Sequence, residues 1–400
     1  MANTRTSSPG SVRSKAIVTK VDTRPASGPH AGSQPAASPR PASWVIVLLL
    51  LANVAIIAIQ YNARRGAVAS RIANPAVHGA PRPVAPLLHH DWVPTLELGT
   101  VLGLVALAVI FALMWQRYPK HPVLLMVLAT TAIVWMDPIM NWAPYAVYNP
   151  QLTHFPETWP LASLSPTVEP FIGLGYATFY LGAYFPAIWI LRRIQARRPV
   201  DSFAWRHPLI SMALLILVIG FTYDAILETI LVRMQLYIYS QVIPFGSLFA
   251  GQQYQFPLLW ESIFVCWVMI PAGVLLYRDD TGRTQAEKLA QRIRTFGIFR
   301  ARPALATFTV MFAILNVAYF GYGASFGVIR ATGVATSVAC PWPFPEAKVY
   351  DPQGFYAEAG QPGPYMAGIW DGWESAQSGR PNVETNPDGR CSPKNVDASG

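Results

Sequence analysis

Residues 208–228 read PLISMALLILVIGFTYDAILE. The stretch is long enough to cross a bilayer as a helix, since a span needs roughly 20 mostly apolar residues. Its two acids, Asp224 and Glu228, stand four residues apart, so a helix places them on the same face. An ionisable side chain at the centre of a span costs about 2.5–3.5 kcal/mol and usually faces the interior of a bundle or a wet cavity. This stretch therefore predicts a helical membrane protein with an acidic site.

The composition of the whole chain supports the same class. Of its 400 residues, 52% are hydrophobic and only 13% are charged, which is typical of a membrane protein. The predicted fold class is all-α, a polytopic transmembrane helical bundle of about seven spans. The first span is either an uncleaved anchor or a secretory signal, and the long polar stretch before it favours the anchor. The spans are predicted at residues 44–61, 98–115, 122–141, 171–191, 208–228, 256–277 and 304–322.

Two polar regions flank the predicted transmembrane domain at residues 44–330. Residues 1–43 are basic, rich in Ser and Pro and poor in aromatics, so we expect a disordered tail. Residues 331–400 are rich in Pro and Gly but also in aromatics, so we expect this tail to fold back over the mouth of the site. Cys340 and Cys391 lie in that tail and are predicted to form a disulfide; the alternative is two free thiols.

Basic residues predict the orientation in the membrane. Fourteen of them lie in the loops after the second, fourth and sixth spans, whereas residues 137–169 have none and residues 229–255 have only Arg233. The positive-inside rule then places the amino terminus in the cytoplasm and the carboxyl tail outside the cell membrane. Residues 62–95 disagree, because they carry four arginines on the assigned outer side. The loops account for the net charge of +9 without nucleic acid as a partner.

The inventory of side chains excludes several known chemistries. All six lysines fall outside the predicted spans, so a retinal Schiff base has no attachment point. The seven histidines do not form the clusters of membrane di-iron enzymes, and zinc motifs are absent. The chain has no Gly-rich phosphate loop and no nucleophile elbow. We therefore expect no metal and no other cofactor.

Some residues within the spans are interpreted as packing residues. Gly99 and Gly103, and likewise Gly323 and Gly327, have the GxxxG spacing that is typical of close helix packing in membranes. Cys266 lies within the sixth span and is interpreted as a small packing residue.

Acids are the candidates for chemistry, and they gather at the predicted outer ends of the third to sixth spans. Asp137 and Asn141 stand four residues apart, although Pro138 between them can kink the helix. The candidate catalytic residues are Asp137, His154, Glu169, Asp224, Glu228 and Glu261. The candidate substrate-binding residues are Asn141, Trp142, Tyr145, Tyr148, Glu157 and Tyr254.

Each candidate also has a purely structural interpretation. Glu228 can pair with Arg233, the only basic residue of its loop. Asp137 can cap a helix or start an Asp-Pro turn, and Glu169 can be a first-turn acid favoured by the helix dipole. His154 can be a hydrogen-bonding loop residue. The tryptophans and tyrosines can form an interfacial belt.

One longer pattern resembles a known family. Over residues 44–322 the chain looks like the AveC-like spirocyclase family of actinobacterial membrane proteins. The pattern is Asp137-Pro-x-x-Asn141-Trp142, Tyr145, Tyr148-Asn149, His154-Phe-Pro-Glu157, Trp159-Pro160, Pro166-Thr-Val-Glu169-Pro170, Tyr223-Asp224 and Glu228. The resemblance implies closure of a dihydroxyketone into a spiroketal late in a macrolide polyketide pathway, and also dehydration. It supplies no catalytic residues, so the candidates above come from this sequence alone.

The candidate acids suit such a reaction. Spiroketal closure protonates a departing hydroxyl, passes through an oxocarbenium-like cation and removes a proton from a second hydroxyl. Two carboxyls in different environments can serve as acid and base, and aromatic faces attract the cation. We therefore predict an acid/base cyclase or dehydratase whose partners are a lipophilic small molecule and membrane lipid. The alternatives are a membrane terpene-type cyclase and a non-enzymatic lipid-binding or transport protein.

Overall fold

The computed structural model describes residues 87–141, 146–149, 151–156, 162, 165, 168–293 and 297–339. Within these residues the chain is mostly helical, with four short strands. Its long apolar helices indicate a polytopic helical membrane protein, and the count of seven spans stays a prediction. Among the described residues, five helices are long and apolar enough to cross a membrane: Val93–Arg117, Phe171–Arg197, Pro208–Arg233, Leu258–Leu276 and Pro303–Ile329.

The elements follow one another in a simple order. The described α-helices are α1 (Val93–Arg117), α2 (Pro122–Ala132), α3 (Asp137–Met140), α4 (Tyr176–Gly182), α5 (Tyr184–Arg197), α6 (Phe203–Arg206), α7 (Pro208–Arg233), α8 (Leu258–Leu276), α9 (Gln285–Ile293), α10 (Gly297–Ala301) and α11 (Pro303–Ala331). Short 3-10 helices cover Leu87–His89, Ile133–Met136 and Phe171–Gly175. The strands are β1 (Ala146–Tyr148), β2 (Tyr237–Tyr239), β3 (Gln241–Val242) and β4 (Ser337–Val338).

The third predicted span, residues 122–141, is interrupted. After α2 the chain tightens into the 3-10 turn Ile133–Met136 and resumes as α3 at Asp137. Pro138 explains the change, because it lacks an N–H and its ring would collide with the carbonyl of residue 134 in a continuous α-helix. The apolar helix Pro122–Met136 is consequently shorter than a full span.

Several predictions concern parts of the chain that are not described. The first span at residues 44–61 and the basic tail at residues 1–43 lie outside the described residues. The same holds for most of the carboxyl tail, including Cys340 and Cys391. Their predicted disorder, disulfide and orientation stay predictions.

The central helices pack closely against one another. Helix α8 packs against both α7 and α11, while α2 packs against α4 and α11. Helices α7 and α8 approach closely at Gly220, where a Cβ would lie 2.9 Å from the sulfur of Met269 and 3.1 Å from that of Cys266. Cys266 is a buried free thiol within this contact, in agreement with its predicted packing role.

Two small antiparallel sheets lie at one end of this core. In the first, β1 pairs with β2 so that Tyr148 stands opposite Tyr237. Side chains alternate along a strand, so Tyr237 and Tyr239 share one face and Ile238 takes the other, where it packs with Val338 of β4. The second sheet pairs β3 with β4. We call this end the acidic end, because the candidate acids lie there: Asp137, Glu169, Asp224, Glu228 and Glu261.

Hydrogen bonds of Gln255 connect the loop before α8 to both sheets. Its side-chain amide donates hydrogen bonds of 3.0–3.2 Å to the carbonyls of Tyr239, Ser240 and Ser337. Its oxygen accepts from the backbone N–H of Gly251 and from the hydroxyl of Ser337, each at 3.0 Å. Buried polar groups without partners are costly, so this saturated network holds β2 in place above the helices.

Candidate active site

A cavity of about 430 Å³ lies at the acidic end, lined by side chains of α1, α4, α7, α8 and α11 and of strands β1 and β2. Its volume falls in the range of pockets that hold drug-sized molecules. Three carboxylic acids, Asp137, Glu228 and Glu261, line it. The lining also includes eight tyrosines: Tyr148, Tyr176, Tyr180, Tyr223, Tyr237, Tyr239, Tyr319 and Tyr322. Acid/base groups and aromatic surface therefore meet in one space.

Asp137 is buried, and its carboxyl receives three hydrogen bonds. Its Oδ1 accepts from the hydroxyl of Tyr319 at 2.7 Å and from the hydroxyl of Tyr176. Its Oδ2 accepts from the side-chain amide of Asn141 at 3.3 Å. Asp137 and Asn141 thus share a helix face despite the kink at Pro138. The three donors fix this carboxyl in place and arrange it as an acceptor.

Glu169 lies behind Asp137 and does not line the cavity. A Cβ at Gly173 would lie 3.7 Å from Oδ2 of Asp137 and 3.8 Å from Oε1 of Glu169, so the two carboxyls are neighbours at this glycine. Glu169 is 4% exposed, and no described residue donates a hydrogen bond to either of its oxygens. Burial raises the pKa of Glu169 well above its ordinary value, and the charge of Asp137 raises it further. This environment favours the protonated form of Glu169.

A second acidic group comes from α7 and α8. Glu228 accepts a hydrogen bond from the hydroxyl of Tyr239 at 3.4 Å rather than pairing with Arg233. Glu261 accepts one through Oε1 from the hydroxyl of Tyr322 at 2.8 Å. The other oxygen of Glu261, Oε2, has no hydrogen-bond partner among the described residues. Glu261 lines the cavity, but this oxygen is itself enclosed and has almost no accessible surface.

Asp224 shares a face of α7 with Glu228, as their spacing predicted. It is fully buried, however, and does not line the cavity. In the part of the chain that the structure describes, neither of its carboxyl oxygens has a hydrogen-bond partner. Asp224 therefore lies behind the cavity wall, in the same relation to Glu228 as Glu169 is to Asp137.

Tyrosines of α11 connect the two acidic groups. Tyr319 donates to Asp137 and Tyr322 donates to Glu261. Their rings stack with centroids 5.6 Å apart and planes 2° apart. Tyr180 of α4 meets Tyr319 edge-on at 6.1 Å. One helix thus contacts an acid from each group.

The strands add neutral hydroxyls to the cavity. Burial raises the pKa of Tyr148 well above its ordinary value, and the charge of Asp137 adds to this effect. Burial likewise raises the pKa of Tyr239, with the charge of Glu228 adding to it. Both hydroxyls therefore remain protonated, and that of Tyr239 donates to Glu228.

Comparison with known proteins bears on this part of the chain. The family model described as spirocyclase AveC-like matches residues 115–350, more than half of the 400 residues. The chain belongs to the AveC-like spirocyclase family. The match begins and ends later than the resemblance at residues 44–322, and it includes every acid described above. Comparisons with curated proteins and with solved structures gave no match.

Two candidates in this AveC-like spirocyclase lie away from the cavity. His154 is buried, and its Nδ1 lies 2.7 Å from the carbonyl oxygen of Phe155. Tyr254 packs under the guanidinium of Arg233, with 3.9 Å between the guanidinium carbon and the ring centroid. Three further candidates, Trp142, Tyr145 and Glu157, lie outside the described residues.

Sequence reasoning missed the tyrosines of the AveC-like spirocyclase that lie within its apolar helices. Tyr176 and Tyr180 of α4 and Tyr319 and Tyr322 of α11 all line the cavity. Their signal was the hydroxyl itself, since a buried tyrosine usually finds a hydrogen-bond partner. Two such hydroxyls within one apolar span indicate a polar site nearby.

Proposed function

We propose that this protein is a membrane-embedded acid/base cyclase that closes a lipophilic, polyketide-like hydroxy ketone into a spiroketal. The observation that carries the proposal is one aromatic-lined cavity lined by two acids, Asp137, held by three donors, and Glu261, held by Tyr322. Membership of the AveC-like spirocyclase family supports a cyclase role. The same groups would serve a dehydration, and the reaction needs no metal or redox cofactor.

The proposed reaction starts when one substrate hydroxyl adds to the ketone and forms a hemiketal. Glu261 then gives a proton to the hemiketal hydroxyl, which leaves as water. The remaining oxocarbenium-like cation faces the tyrosine rings and the carboxylate of Asp137, both of which attract positive charge. Attack by the second hydroxyl forms the second ring bond and releases a proton to Asp137. One water is lost, and the substrate is neither oxidised nor reduced.

The site must return one proton from Asp137 to Glu261 before the next cycle. Both acids line the same cavity, so a water molecule there can carry the proton between them. Glu228, which also lines the cavity, is the second candidate for proton donor. Glu169 and Asp224 support the site from behind and need not touch the substrate.

Deletion of the gene is the direct test of this function. We expect an open-chain hydroxy ketone to accumulate, heavier than the normal product by one water. Purified protein in lipid nanodiscs should convert that compound into the lighter product. A terpene-type cyclase would instead give a product of the same mass as its substrate, and a non-enzymatic binder would leave the compound unconverted. Either of these results would contradict the proposal.

We also propose that the acidic end faces the outside of the cell, because the basic loops lie at the opposite ends of the helices. A reporter enzyme fused after Gly400 should be active outside the cytoplasm, and one inserted beside Lys288 should be active inside. The fusion proteins can be compared in whole cells with a substrate that does not cross the membrane. A cytoplasmic signal from the carboxyl-terminal fusion would reverse the orientation and turn the acidic end inward.

A further inference from the structure

The α1 wall of the cavity differs from the others because two glycines lie near its centre, among larger side chains such as Leu96 and Leu104. Thr95, Gly99, Gly103 and Leu107 follow one another at intervals of four residues and all line the cavity. They extend about 18 Å along α1, since an α-helix rises about 1.5 Å per residue. Among the described residues, a Cβ at Gly99 or Gly103 would meet no atom within 4 Å. In the described part of the chain, the two glycines of the GxxxG spacing therefore lie along an open groove, and their predicted packing role stays a prediction.

The groove reaches the surface of the bundle. Thr95, Gly99 and Gly103 are exposed, and so is Thr178 of α4, which also lines the cavity. Helix α7 contributes the half-buried Leu227 to the same lining. Helices α1 and α7 are both long and apolar enough to span a membrane, and lipid chains would then surround this surface. The cavity thus opens sideways toward lipid.

The deep part of the cavity has a different chemistry. Glu261 is 3% exposed, and within residues 87–339, as far as they are described, its Oε2 has no hydrogen-bond partner. Asp137 and the tyrosine hydroxyls line the same space. An apolar groove along α1 therefore leads to a polar pocket with an unsatisfied acid. A molecule that fills both parts carries polar groups at one end and an extended hydrocarbon portion at the other.

We infer that the α1 groove admits an elongated amphiphile directly from the lipid and holds its hydrocarbon portion, and that Gly99 and Gly103 limit how bulky this portion can be. The reacting polar end depends on the proposed cyclase function, whereas binding of the hydrocarbon portion does not depend on turnover. A substrate dissolved in the membrane reaches the acids along this route without leaving the bilayer.

The variants Gly99→Leu and Gly103→Leu test the inference. Leucine favours a helix more than glycine does, so neither change should unfold α1, while each side chain fills the groove. The probe is hexadecanol with a photoactivatable diazirine in its chain, added to the protein in nanodiscs. In the parent protein we expect cross-links on α1 and α7 that unlabelled hexadecanol displaces. Each variant should lower this displaceable labelling about tenfold, which corresponds to about 1.4 kcal/mol of binding free energy.

The matched control is Gly327→Leu. Gly327 is also a helical glycine whose Cβ would meet nothing within 4 Å among the described residues, but it does not line the cavity. It should keep the labelling of the parent. Unchanged displaceable labelling in both α1 variants, or an equal loss in Gly327→Leu, would overturn the inference.

A second comparison separates this inference from the proposed function. Asp137→Asn removes the proposed base but leaves the α1 groove intact, so displaceable labelling should persist. If labelling depends on Gly99 and Gly103 while no hydroxy ketone is converted, the inference about the groove is supported and the cyclase proposal fails. If conversion occurs at the parent rate in both leucine variants and labelling is unaffected, the groove fails and the cyclase stands.

Discussion

Asp137→Asn should lower turnover by about 10²–10⁴ while the amount of protein in the membrane stays nearly unchanged. The substitution keeps the size of the side chain and one acceptor oxygen, so Tyr319 and Tyr176 retain a partner. It removes the group that accepts a proton and the negative charge that stabilises the cation. The measurement is conversion of the accumulated hydroxy ketone by membranes, divided by the amount of protein present.

The matched control for this prediction is Asp201→Asn. Asp201 is exposed between α5 and α6, away from the cavity, so the same change there should leave turnover at the parent value. Parent activity in Asp137→Asn would remove Asp137 from the chemistry. Loss of activity only through loss of protein would assign Asp137 a structural role instead.

Glu261→Gln should have the second large effect, also a loss of about 10²–10⁴ in turnover. Glutamine retains an oxygen that accepts the hydrogen bond of Tyr322, so the helix pair should stay intact. The variant cannot protonate the departing hemiketal hydroxyl, because an amide does not act as a proton-donating acid. Tyr322→Phe should reduce turnover less, since it removes only a hydrogen bond that orients the acid.

Glu97→Gln serves as the control for this second prediction. Glu97 binds the backbone N–H and the hydroxyl of Thr153, and glutamine keeps an acceptor for them. Glu97 does not line the cavity, so we expect Glu97→Gln to turn over substrate at the parent rate. If Glu261→Gln is as active as the parent and Glu228→Gln is inactive, the assignment of the proton donor to Glu261 is wrong.

The positions of the helices could be predicted from the sequence because lipid imposes a simple rule on each of them. A span must satisfy its backbone groups internally and present roughly 20 apolar residues, so local composition suffices to find it. Five described helices coincide with predicted spans. The sequence did not decide whether the helix breaks before Asp137, since Pro138 can either kink a helix or end it.

The candidate site could be predicted from the sequence only in part. The i,i+4 spacing placed Asp224 and Glu228 on one face of α7, but it did not show that Asp224 lies behind the wall while Glu228 lines the cavity. That distinction depends on which neighbouring helix covers each turn. The glycines of α1 illustrate a related point: GxxxG spacing indicates close packing only where a partner helix approaches, and the spacing does not say which helix that is.

The sequence by itself determined a helical membrane protein, the places of its apolar helices and the acids that lipid would not tolerate on an exposed surface. These properties are local, because each depends on a stretch of about 20 residues and its solvent. The tertiary structure alone decided that Tyr319 and Tyr322 of α11 bind acids from α3 and α8, far away along the chain. It also decided that α1 leaves a groove where its glycines lie. Both outcomes depend on how distant helices pack against one another, and no single stretch of sequence contains that information.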